Sequence, residues 1–600
     1  MKPSQLYRSV AAIVFTCTAL AAGACGKEKS NGFGEQQGGF NGDAGVEASD
    51  CRFTCSLDGR SVIQSCTGEV VTTCAPEQAC GAALCQAPCA AAAADRSSNG
   101  CEFYFQSPRV VKNEPQSCHA AFIVNTSAQA VDLTLELEGQ ALDIGHALFY
   151  TQPGSPTLYP KEGPIQPGES VVLFVSDRNP AVPLTQSEAF SYIGCPKGAK
   201  AATLEDPVPD GSGIGSAFRM SSTSPVSVTS MYPFGGALSY VPSATLLLPV
   251  AAWAKENIVV NGWEASVTGY PSAQIVASED DTEITIVPST DLRPAAGIPS
   301  GLAHVPVTIK IDKGQFLQLV QSSELSGSIV TSTKPTSVFG GQSCALVPSN
   351  AEGACDTMSQ QLPAYQQWGS EYAAVGYRPR TGNENEQMPY RVVAARDGTR
   401  LDYDPTIPPG APTELAAGEV ATFPAGVGDA FTVRTQDSEH PLYVAAYMSA
   451  NAGHYNGNPA FGGRGDPEFV NVVPAGQYLN SYSFYADPTY AETSLVVIRA
   501  KTMGSDPKFE DVWLECAGTL TGWKPIGTRG QYEWLRIDLT KDYRPGTTFE
   551  AGVCQSGLQR MKSEGPFTAT LWGWDRFASY AAPGGMAQRK LVTQPLPPVR

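Results

Sequence analysis

Four stretches of this chain share one shape and recur at nearly even spacing. Each runs from a glycine through a polar segment to a proline, then into alternating apolar residues: "GSAFRMSSTSPVSV", "GSIVTSTKPTSV", "GDAFTVRTQDSEHPLYV" and "GLQRMKSEGPFTAT". Their prolines, Pro225, Pro335, Pro441 and Pro566, lie 110, 106 and 125 residues apart. Self-similarity at a steady period marks a repeated structural unit. Proline lacks the N–H that a central strand must donate, so it belongs at a strand start, an edge or a bulge. The pattern therefore predicts an edge hairpin closing each unit.

Other parts repeat in register. "LLLPVAAW", "QQLPAYQQW" and "NVVPAGQY" open units two to four and place Trp253, Trp368 and Tyr478 alike, as core plugs. "IVASEDDTEITI" and "VVAARDGTRLDY" read as hairpins turning at Asp280-Asp281 and Asp397-Gly398. Asp-Gly favours such turns because both central residues need positive φ. "AFIVNT", "VDLTLELEG", "SVVLFVS", "VTIKID" and "TSLVVIRA" alternate apolar and polar residues with the period of half-buried strands. No stretch carries a helical stripe, so the body is all-β. Seven or eight strands in a unit of about 105 residues fit a tandem β-sandwich. Two four-stranded β-propeller blades per unit are the alternative. The closing signal recurs once per unit, not twice, which favours sandwiches. The units run 96–232, 233–342, 343–450 and 451–585, with a tail at 586–600.

Sixteen cysteines divide unevenly over the 600 residues. Cys51, Cys55, Cys66, Cys74, Cys80, Cys85, Cys89 and Cys101 crowd into one segment, which predicts a small disulfide-rich module at 51–95 with the eight paired among themselves. Nearest-neighbour pairing joins Cys118 to Cys195, Cys344 to Cys355 and Cys516 to Cys554. Zinc is disfavoured: no C-x-x-C occurs and His119 lies outside the cluster. "AAAAAD" at Ala90–Asp95 reads as a connector, too short for a stable helix.

The N-terminus indicates where the chain works. Lys2 and Arg8 precede an uncharged run from Val10 to Ala24, the size of a secretory signal core. Ala22, Gly23, Ala24 and Cys25 resemble the lipobox of bacterial lipoproteins. The resemblance implies a signal peptide at 1–24, lipidation of Cys25 and, with Gly26 following, outer-membrane or cell-surface placement. Residues 25–50, rich in glycine, read as a flexible tether reaching about 28 Å. The lipid anchor would be the membrane contact. Net charge is −18 without any Lys/Arg cluster, which excludes nucleic acid as a partner.

Catalytic signatures are missing. His119, His146, His304, His440 and His454 form no metal-binding spacing, and no G-x-S-x-G elbow occurs. Gly211–Ser216 is glycine-rich but lacks the lysine of a phosphate cradle and reads as a flexible loop. Asp206–Gly211 lacks the alternating oxygens of a calcium loop. Arg464-Gly465-Asp466 spells an integrin tripeptide that chance and turn chemistry explain. Asp280, Glu283 and Asp397 are the carboxylates from which a glycosidase pair could be assembled. No catalytic, metal or cofactor residue is assigned.

"GCEFYF", "ASEDDTEITI", "GQFLQLVQSSELSGSIVTSTKPTSVFGGQSC", "ACDTMSQQLPAYQQWGSEYA" and "GDPEFVNVVPAGQYLNSYSF" resemble the N-terminal domain of IgG Fc-binding protein, in the form that occurs in predicted bacterial lipoproteins. The resemblance spans about residues 100–580 and implies binding and adhesion, not catalysis. It supplies no ligand residues, and immunoglobulin binding does not transfer with it. The expected protein is a non-catalytic surface lipoprotein that binds an extracellular glycan, matrix polymer or protein through its repeated units. An extracellular polysaccharide hydrolase is the alternative.

Overall fold

A computed structural model describes residues 52–596 apart from 112–113, 236–237, 239–240, 452–460 and 504–505. The signal peptide, Cys25, the tether, Cys51, His454 and the end of the tail lie outside the described residues.

Unit three shows the repeat most plainly. One sheet orders the strands Glu371–Ala374, Phe431–Thr435, Thr399–Asp404 and Glu414–Leu415. The other orders Val420–Gly426, Gln387–Ala394, Leu442–Met448 and Glu468–Asn471. All pairs are antiparallel. Tyr390, Phe423, Phe431 and Tyr403 fill the space between, with Tyr390 edge-on to Phe431 at 5.0 Å. This is a β-sandwich; strands Gln387–Ala394 and Leu442–Met448 are buried on both faces, with Tyr390 and Val444 on this core and Val393 and Tyr443 in a second one.

The other units use the same plan with one difference. Strands Phe431–Thr435 and Leu442–Met448 are fused into a single long strand: Phe218–Tyr232, Ile329–Ala345 and Gly557–Asp575. The first half pairs in one sheet and the second half in the other. In unit two Ile329–Ser332 faces Thr282–Val287, while Thr336–Gln342 faces Pro271–Ala277.

The prolines therefore do not close edge hairpins. Pro225, Pro335 and Pro566 sit mid-strand, where the register with the unit's first strand slips. A bulge needs no N–H from its extra residue and bends the strand, so proline marks the point where the chain passes between sheets. The expected hairpins at Asp280-Asp281 and Asp397-Gly398 are also crossings. The flanking strands do not pair with each other; Gln387–Ala394 and Thr399–Asp404 lie in different sheets. Only the second residue takes positive φ, 52° at Asp281 and 66° at Gly398.

A short strand follows each long one: Ser243–Leu246, Asp356–Leu362, Glu468–Asn471 and Ala578–Pro583. Each pairs with the strand before it. The sheets of units one to three thus extend past the boundaries expected at 232, 342 and 450. These four strands also pack each against the next, and the last against the first, so the units form a closed ring. Buried side-chain amides stitch it. Gln360 Nε2 donates to Ala244 O at 2.7 Å, Phe469 O at 2.9 Å and Ala581 O at 3.2 Å, touching the other three axial strands. Gln367 donates to Ala252 O, and Gln477 to Gln367 O.

Trp253, Trp368 and Tyr478 are buried, each just after a short 3-10 turn beside the axis. The two indole N–H groups donate to Leu248 O and Pro363 O. Gly213–Ser216, expected as a flexible loop, is a strand on the edge of the unit-two sheet, paired with Gln315–Val320. The tail docks: Val592 is buried, and the Leu591 and Val592 N–H groups donate to Gln366 O.

In the cysteine-rich module the bonds are Cys55–Cys80, Cys74–Cys85 and Cys89–Cys101; Cys66 is also disulfide-bonded. Cys118–Cys195, Cys344–Cys355 and Cys516–Cys554 are joined in the body. Ala90–Asp95, expected as a connector, lies in a helix that spans Pro88–Asp95. Proline at its first turn costs no hydrogen bond. Ala91 packs so closely on Gly81 that a Cβ there would stand 2.3 Å from Ala91 O. Tertiary contact and the Cys89–Cys101 bond supply what eight residues alone lack.

Candidate functional site

A wide opening lies where units three and four meet. The Pro-rich loop after Thr399–Asp404 contributes Pro405, Pro408 and Pro409; the strand Val420–Gly426 adds Pro424; and Lys524, Pro525 and Trp534 come from unit four. The space measures about 880 Å³, within the range of ligand clefts. Proline suits this exposed loop because it fixes the backbone without having to donate to a strand ladder.

The charged groups at the cleft are held in place. Glu384 accepts from Arg536 Nη1 at 2.9 and 3.1 Å. Arg536 also donates to Gly376 O and Val427 O and lies over the Trp534 ring, 4.8 Å from its centroid. Lys524 covers the same ring at 4.9 Å. Asp429 accepts from the Gly426 N–H at 3.1 Å. Below, Asp404 fastens the two units: it accepts from the Thr528 hydroxyl at 2.7 Å and from the Thr528 and Arg529 N–H groups at 2.8 and 3.1 Å. Burial pushes its carboxyl up, but these donors outweigh burial and hold it below the ordinary range. The cleft offers flat apolar walls, two fixed carboxylates and one exposed ammonium. Such a surface suits recognition by stacking and hydrogen bonding.

The carboxylates picked out from the sequence are exposed, and two of them brace neighbouring turns. Asp280 is exposed and accepts from the Lys313 N–H at 3.2 Å; Asp397 is exposed and accepts from the Ala417 N–H at 2.9 Å. Glu283 is exposed on its strand. None of the three lines the cleft. Asp206 pairs with the buried Arg109, and the Pro209 and Gly211 carbonyls accept from Gln318, so those oxygens have protein partners. Asp466 is 1% exposed, which removes the integrin reading of its tripeptide. His119 is buried against Phe105 and Tyr232; burial pushes its imidazole down to about 3. Among the described residues no group of three or more His, Cys, Asp or Glu is arranged to hold a metal ion.

Sequence reasoning missed the cleft. Its one visible signal was the proline cluster in "DPTIPPGAP", which reads as an ordinary loop until unit four stands opposite.

No curated protein and no solved structure matches the chain. A family model described as IgGFc binding protein matches residues 243–573, more than half of the chain. The match begins at the axial strand of unit one, covers units two and three and ends within the long strand of unit four; unit one repeats their strand plan outside it. With that match, the chain belongs to the IgGFc-binding protein family.

Proposed function

We propose that this protein is a non-catalytic, lipid-anchored protein of the cell surface that binds an extracellular partner through its ring of sandwiches. The cleft between units three and four is the contact. The observation that carries this reading is a cleft of ligand size, walled by proline and aromatic surface, in a member of a binding family. Net charge of −18 favours a neutral glycan or a basic protein surface over an acidic polymer. Cys25 and the glycine-rich segment after it support anchoring and export.

The test is capture of partners from the organism's own envelope by the oxidised full chain, beside Pro409→Arg and Asp429→Lys variants. Capture that both variants abolish supports the cleft. Turnover of a polysaccharide that disappears in Glu384→Gln or Asp429→Asn would replace binding with hydrolysis.

A further inference from the structure

The ring axis gathers acidic side chains that the sandwiches do not need. Gln361 faces Phe339 and Asn471 faces Ala445, each opposite the residue four after its unit's proline. Asp356 and Asp466 precede them by five residues, so the repeat places the two alike on neighbouring axial segments. Units one and four carry Val241 and Ala578 at the matching offset. Asp356 is 0% exposed and Asp466 1%. Both reach Ser579: the Asp466 N–H donates to its Oγ at 2.8 Å, and the Ser579 N–H approaches the Asp356 carboxylate.

These carboxylates lack the donors that burial demands. Asp356 Oδ1 accepts from the Thr357 N–H at 2.8 Å, but its Oδ2 has no hydrogen-bond donor among the described residues. Neither Asp466 oxygen has one. Asn451 approaches Asp466 through its backbone, and its Nδ2 donates to Gly465 O. That bond fixes the amide orientation and leaves the buried Oδ1 without a donor. Glu468 nearby is a third buried carboxylate: the Phe469 N–H donates to its Oε1 and Ser243, Ala244 and Ala581 approach it, but its Oε2 has no hydrogen-bond donor among the described residues. Arg380 is close to Asp466, but its guanidinium is taken by Glu386 and Ser449, which makes a neutral pair. Asp356 and Asp466 thus lie near enough for their charges to act on one another, and Asn451, whose amide oxygen is unpartnered, adjoins Asp466, an arrangement that water-free surroundings penalise heavily.

We propose that Asp356, Asp466 and Asn451 hold one hard divalent cation, calcium, at the ring axis. Two carboxylates balance its charge. All three donors are oxygens, without the thiolate or imidazole that zinc prefers. No third carboxylate, histidine or cysteine joins them in ligating geometry among the described residues, so neutral oxygens complete the shell, as calcium accepts. The ion would tie unit two to unit three beside Ser579 of unit four.

The oxidised full chain, gel-filtered in calcium-free buffer, is assayed for metals by mass spectrometry and melted with EDTA, calcium or magnesium. The expected result is one calcium per chain and a melting temperature that falls several degrees with EDTA and recovers with calcium but not magnesium. Asp356→Asn and Asp466→Asn should each lose the ion and the calcium-dependent shift. A wild-type chain without calcium, or one that melts alike in EDTA and calcium, overturns the proposal. So does calcium retained undiminished by the Asn variants. Should those variants fail to fold, the wild-type metal count and melts decide alone.

Discussion

Burial raises the carboxyls of both Asp487 and Asp404, but their donors leave them shifted in opposite directions. Asp487 is fully buried, and desolvation pushes its carboxyl up to about 6, despite donors from Thr489. A folded-state value above the unfolded one favours folding at low pH. That stability is complete below about pH 4 and is lost as pH rises through 6, about 3 kcal/mol in all. Asp487→Asn keeps the acceptor for Thr489 N–H and removes the charge. Its melting temperature at pH 7 should rise, and the slope between pH 4 and 6 should flatten, read by scanning calorimetry across that range. Asp404 has the reverse sign. Its carboxyl is held low, so its contribution is present above pH 4 and fades as pH falls through the depressed value. Asp404→Ala leaves the Thr528 and Arg529 N–H groups without their acceptor and should cost about 2 kcal/mol in chemical denaturation at pH 7. Neither residue stood out in the sequence, because an aspartate's meaning depends on which donors the fold brings to it.

The long strands carry the fold between sheets, and their close contacts are testable. A Cβ on Gly340 would meet Val260 O at 1.7 Å, a main-chain atom that cannot swing aside. Gly340→Ala should destabilise by about 1–3 kcal/mol, measured as a lowered denaturant midpoint with an unchanged slope. The Cys344–Cys355 bond closes the turn between that strand and the axial strand after it. Replacing both cysteines with serine should cost about 3 kcal/mol. Strand identity was legible here, since "IVASEDDTEITI" alternates with period two. Pairing was not. Period two says which residues share a face but not which neighbour a strand joins, so crossings between sheets looked like hairpins. Proline was visible as a strand disruptor, and only the register slip opposite Pro335 showed it to be a bulge.

The whole molecule is a ring because its first and last units meet. The Ser98 N–H donates to Met586 O, Met586 N–H donates back to Ser98 Oγ, and the axial strand of unit four lies against that of unit one. Closure leaves no unit with an open axial face and turns four similar sandwiches into one body. On the proposal of a surface lipoprotein, cells fed a labelled fatty acid should label the wild type and not Cys25→Ser, and the variant should appear in the periplasm or medium. An unlabelled wild type would remove the anchor.

The sequence by itself determined what depends on neighbours along the chain. Alternation made the body all-β, the recurring prolines counted four units, and cysteine crowding marked the small module. The "SGSIVTSTKPTSVFGGQSC" segment carried the family resemblance. Only the tertiary structure decided the bulged long strands, ring closure, the proline-walled cleft and the buried pair Asp356 and Asp466. Each of these joins residues about 80 or more positions apart, and local periodicity carries no information about such pairings.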